Sequence, residues 1–127
     1  MKKLQSILLI IVLMMPLLVS CSSDDDDYYV KYEVTRGTSF SAFGGNSTYE
    51  ITYRDVGKNS AVNKRNSWEG TYGPFQNGDK VFLQVRTIQG SYSACARISV
   101  SNDNKNFVIK EEKNNEANFK LVYYIGD

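Results

Sequence analysis

Residues 80–101 read KVFLQVRTIQGSYSACARISVS, and two strands are legible in them. Val81, Leu83 and Val85 alternate with Phe82, Gln84 and Arg86. Past Gln89-Gly90, Ala94, Ala96, Ile98 and Val100 alternate with Cys95, Arg97 and Ser99. In an extended chain every second side chain points the same way, so each run offers one apolar face to a core. The glycine between the runs supplies turn chemistry.

The same period runs outward in both directions. Val30, Tyr32 and Val34 alternate with Lys31, Glu33 and Thr35; Tyr49, Ile51 and Tyr53 alternate with Glu50, Thr52 and Arg54. Phe107 and Ile109 follow, then Phe119, Leu121, Tyr123 and Ile125. No segment sustains helical spacing. Asn77-Gly78-Asp79 is a hairpin-type signal, Asn102-Asp103-Asn104 separates two strands, and Lys113-Asn114-Asn115-Glu116 introduces the last one. The expectation is an all-β fold over residues 28–127, a small immunoglobulin-like antiparallel β-sandwich of about seven strands with no internal boundary or repeat.

Composition narrows the chemistry. A chain of 127 residues holds one domain, and a net charge of +1 gives no field that would recruit nucleic acid. Histidine is absent, which removes the commonest general base and metal ligand. Two cysteines exclude a four-cysteine zinc site or a disulfide-stapled miniprotein. Asn102, Asp103, Asn104 and Asn106 lack the spacing and terminal Glu of a calcium loop, and Gly44-Gly45 opens no helix that would cradle phosphate. The expectation is a chain that is not an enzyme, with no metal and no cofactor.

The first twenty residues read as an address. Lys2 and Lys3 precede an apolar run from Ile7 to Val19, about thirteen residues against the roughly twenty of a bilayer-spanning helix. Leu18-Val19-Ser20-Cys21 resembles the lipobox of bacterial lipoproteins, which implies cleavage before Cys21 and acylation of that residue. Two or three acyl chains hold a small domain firmly at a membrane. Ser22, Ser23, Asp24, Asp25, Asp26 and Asp27 follow; four adjacent carboxylates repel one another and read as a hydrated tether. Cys-Ser-Ser-Asp-Asp-Asp-Asp also resembles the export signal of Bacteroidetes lipoproteins, which implies the outer face of the outer membrane. The divisions are thus 1–20 signal peptide, 21–27 lipidated cysteine and acidic tether, and 28–127 folded domain. Cleavage turns the net +1 into −1, and without Asp24–Asp27 the body is +3.

Within the domain, Tyr32-Glu33-Val34-Thr35, Ile51-Thr52-Tyr53, Ser67-Trp68-Glu69 and Ala96-Arg97-Ile98-Ser99-Val100 occur in that order. Together they resemble the MmpS-type family of membrane-anchored β-sandwich transport accessory proteins, over residues 32–109. The resemblance implies a sandwich fold and a periplasm-facing accessory of a membrane transporter. Actinobacterial members of that family carry a cysteine pair in the domain; here Cys95 has no counterpart in the C-terminal Tyr123-Tyr124-Ile125-Gly126-Asp127.

Candidate contact residues are aromatic. Phe40 and Phe43 sit in Arg36–Thr48, RGTSFSAFGGNST, whose Ser/Gly background suits an adaptable binding loop or a satellite cluster tucked beneath it. Trp68, Tyr72 and Phe75 lie in SWEGTYGPF, either a platform for sugar rings or, for Trp68, a plug between the sheets. Cys95, flanked by alanines, reads as an inert side chain filling a small space. The leading expectation is a non-catalytic binding or adhesion module for a glycan or protein ligand, lipid-anchored through Cys21 at the cell surface. A transporter accessory and a small enzyme inhibitor are the alternatives.

Overall fold

A computed structural model describes residues 27–38 and 45–127. Eight strands follow one another: β1 Tyr28–Arg36, β2 Thr48–Asp55, β3 Lys58–Arg65, β4 Ser67–Phe75, β5 Lys80–Gln89, β6 Ala94–Ser101, β7 Val108–Glu116 and β8 Asn118–Tyr124. The first sheet has the order β4-β1-β6-β7 and the second β3-β2-β5-β8, with every pair antiparallel. The all-β sandwich expected from the alternation is present, with eight strands against about seven.

The alternating residues decide which faces meet. Val30, Tyr32, Val34, Ala94, Ala96 and Ile98 from the first sheet close on Tyr49, Ile51, Val81, Leu83 and Val85 from the second, all buried. Burying a Val, Leu or Ile side chain contributes roughly 1.5–3 kcal/mol, and this stripe is the main source of cohesion between the sheets. Tyr32 is fully buried and stays satisfied because its hydroxyl donates to the Arg54 carbonyl at 2.7 Å. Burial pushes that phenol well above its ordinary pKa.

Four local readings needed correction. β3, KNSAVNKR, escaped the pattern because Val62 is its only large apolar residue; it is an edge strand, half-covered at best along its length. Asn77-Gly78-Asp79 is a turn, with Gly78 at φ +91°, but it carries the chain from β4 in one sheet to β5 in the other and closes no hairpin. Lys113–Glu116 belongs to β7 itself, and the turn into β8 falls at Ala117. Ile109 does not face the core: β7 slips in register between the partners of Ile98 and Ser99, which turns Ile109 outward at 48% exposure beside Val108 at 57%. A one-residue slip sends a side chain to the other face.

Gly73-Pro74, a cis peptide, lies near the end of β4, an edge strand where a missing N–H breaks no ladder. A Cβ at Gly73 would stand 2.8 Å from the Tyr28 carbonyl oxygen, so this close pairing of β4 with β1 requires glycine.

Candidate functional site

The two ends of the sandwich differ in what they hold. The described chain enters at Asp27, whose carboxylate accepts from Gln76 Nε2 at 3.3 Å, and β1 carries it across the domain, about 30 Å for nine extended residues. At the entry end stand Asp55, Asp79, Asp103 and Asp127. Asp103 accepts from the Asn106 and Lys105 N–H groups, both at 2.9 Å, and from the Ser101 hydroxyl at 2.6 Å. Those donors, the Asn106 N–H foremost, hold its carboxyl below the usual carboxylate range.

At the far end both stems of the 36–48 segment are pinned. Gly37 N–H donates to the Ser93 carbonyl at 2.7 Å and Thr38 N–H to Asn115 Oδ1 at 2.9 Å. On the returning stem Ser47 N–H donates to Asn66 Oδ1 at 3.1 Å, and Asn66 Nδ2 donates to Asn46 Oδ1 at 2.8 Å. Asn66 adopts φ +66°, a conformation asparagine tolerates better than most residues. The Arg36 guanidinium donates to the Gly45 carbonyl and lies 4.3 Å over the Tyr92 ring. Phe40 and Phe43 lie outside the described residues, as do Cys21, Ser22, Ser23, Asp24, Asp25 and Asp26.

The expected aromatic platform does not form. Phe75 is buried at 3% exposure, so it offers no ring to a ligand. Tyr72 and Trp68 pair with Val30 and Val34 across β1 and therefore point inward. There both pack on Tyr53, ring centroids 4.8 and 4.9 Å apart, and the Tyr72 hydroxyl donates to the Tyr53 hydroxyl at 3.0 Å. Trp68 is half-buried against the core, the plug side of the two readings. Ser60 and Val62, opposite Tyr53 and Ile51 on β3, are small enough to leave room for these rings. Cys95 is outward on the first sheet, half-buried, with its Sγ 3.7 Å from Asn115 Oδ1.

The outward face of the second sheet gathers residues that were not singled out. Thr52 pairs with Gln84 and Gln84 with Lys120; Arg54 pairs with Asn59, and Phe82 with Val122. Thr52, Arg54, Asn59, Asp79, Lys80, Phe82, Gln84 and Lys120 line a trough of about 810 Å³, in which the Asp79 carboxylate already accepts from the Gln76 N–H at 2.8 Å. The Lys120 ammonium sits 4.8 Å from the centre of the half-buried Phe82 ring, and Arg54 Nη1 donates to Asn59 Oδ1 at 3.0 Å. At the outward strand positions of this face Arg54, Arg65, Lys80, Arg86 and Lys120 stand against one carboxylate, Glu50, which is taken by Arg86 at 2.9 Å; Asp79 adds a second from the turn before β5. The signal was in the alternation: Phe82 is the one aromatic occupying a polar position of its strand. Chemically the trough offers amide and hydroxyl groups, cationic donors and a ring face, the components of polar ligand recognition. Among the described residues no group of three or more Cys, Asp or Glu is placed to hold a metal ion.

No family model, no curated protein and no solved structure matches the chain.

Proposed function

We propose that this chain is a lipid-anchored, non-catalytic binding module of the outer membrane, held through Cys21 and facing the exterior. The observation that carries the binding role is the trough on the second sheet, where a hydrophobic ring is left among cations and amides instead of being folded inward. A ring in that position costs solubility and contributes nothing to the core, whereas it suits stacking against a ligand. The acidic run between Cys21 and Tyr28 supports the anchoring role, because it spaces the domain from the bilayer.

Two measurements test this. Protease treatment of intact cells is expected to release residues 28–127 by cleavage at the Asp24–Tyr29 tether. Release only after lysis would turn the domain toward the periplasm and favour a transporter accessory. Glycan-array screening of the full-length protein is expected to give a signal that Phe82→Ala abolishes while the thermal melt stays cooperative. A signal indifferent to Phe82 would remove the trough from the function.

A further inference from the structure

The trough's charge points to its ligand class, and we propose that it takes an acidic polysaccharide, a glycan chain bearing carboxylate or sulfate groups. This rests on the binding-module reading and goes further by naming the chemistry. Arg54, Lys80 and Lys120 make no ion pair among the described residues, so their charge is not spent inside the protein. Arg86, the neighbouring cation, shows the contrast, since Glu50 occupies it. Outward positions along one strand repeat at about 7 Å and neighbouring strands at about 4.8 Å. Arg54, Lys80 and Lys120 therefore surround Phe82 within the footprint of a short oligosaccharide. Thr52, Gln84 and Asn59 lie on the same surface with donors and acceptors for sugar hydroxyls. The ring gives a sugar face something to stack on, and the cations fix its acidic groups by charge-assisted hydrogen bonds.

A flat anionic membrane is the competing occupant, and the charge pattern disfavours it. The end of the domain nearest the tether carries Asp27, Asp55, Asp79, Asp103 and Asp127. A bilayer approaching from the tether meets those carboxylates together, whereas a polysaccharide chain lying along the sheet passes only Asp79, whose carboxylate is engaged by the Gln76 N–H at 2.8 Å.

The test uses the full-length protein in detergent micelles, titrated with polygalacturonate, chondroitin sulfate and neutral dextran. Binding to at least one of the two acidic chains and not to dextran is expected, weakening as salt rises. Lys120→Gln and Phe82→Ala should each weaken it about tenfold, the loss of one charge-assisted contact or one stacked ring. Lys31→Gln, on the other sheet, should leave it unchanged. If Phe82→Ala fails to fold, Lys120→Gln and Arg54→Gln carry the same comparison. Equal binding to dextran would overturn the acidic ligand while keeping the binding module; no binding to any of the three would overturn the acidic ligand and leave the binding role to the glycan array. Equal loss in Lys31→Gln, or binding to phosphatidylglycerol vesicles that ignores Phe82, would also overturn the proposal.

Discussion

The outward faces of the two sheets obey the same period-two rule and carry different charge. On the first sheet Glu33, Glu69 and Glu112 surround Lys31 and Arg97, and Arg97 is engaged by Glu112 at 3.5 Å. On the second, five cations face one carboxylate at the outward strand positions, with Asp79 at the turn before β5. Neither pattern is needed to hold the sandwich, because the inward residues do that on both sheets. Outward positions are therefore free to specialise: Lys31 lies 5.6 Å from the Phe107 centroid on the first sheet and Lys120 4.8 Å from that of Phe82 on the second, but only around Phe82 do cations outnumber carboxylates. The first sheet's apolar exposures, Val108 and Ile109, sit at the start of an edge strand and not in the middle of a face.

Two adjacent residues give the sharpest test of this division. Leu83 is fully buried, and Phe82 beside it is outward. Leu83→Ala should cost about 2–5 kcal/mol in urea unfolding, the transfer and cavity terms of an unrelaxed core site. Phe82→Ala should cost about 1 kcal/mol, the order of its cation–π contact with Lys120. If Phe82→Ala were as damaging as Leu83→Ala, the ring would be core and the division between inward and outward residues would fail.

That division was largely legible in the sequence. Val81-Phe82-Leu83-Gln84-Val85 announces a strand and its inner face, because burial imposes strict alternation on β-structure. β3 was not legible, since an edge strand needs few apolar residues and Lys58–Arg65 carries only Val62 and Ala61. Phe75 and Tyr72 were read as contacts because local sequence does not say which face of β4 the opposite sheet will cover. The trough was hidden for a related reason. Arg54, Lys80 and Lys120 come from β2, β5 and β8, and only the strand order brings them together. The alternation did mark Phe82 as outward; its meaning depended on those neighbours.

The sheets also differ at their hairpins, and acid should expose that difference. The β6–β7 connection of the first sheet is organised by the Asp103 carboxylate, whereas the β2–β3 connection of the second turns through Gly57 at φ +76°. Because the folded-state pKa of Asp103 is depressed, its contribution is fully present above the ordinary aspartate value of 3.8 and is lost as pH falls through the folded value. Asp103→Ala should lower Tm at neutral pH, and the gap to the parent protein should close in strong acid. Melting curves of both proteins across the acid range check this; a gap independent of pH would mean that the carboxylate's charge is not what holds the loop.

The smallest effect addresses the charge difference between the faces. Glu69 on edge strand β4 pairs directly with Glu33, and like charges opposite each other destabilise an antiparallel pair. Glu69→Lys should therefore stabilise the protein by roughly 0.2–1 kcal/mol, a gain that shrinks with added salt. The same variant replaces a carboxylate by a cation in the first sheet's own trough, where Lys31 stands 5.6 Å from the Phe107 centroid and Asp55 remains. Polygalacturonate binding should remain on the second sheet, still sensitive to Lys120→Gln. Should Glu69→Lys create a second site of equal affinity, any ring set among cations would be sufficient for binding, and the arrangement on the second sheet would lose the distinct role assigned to it.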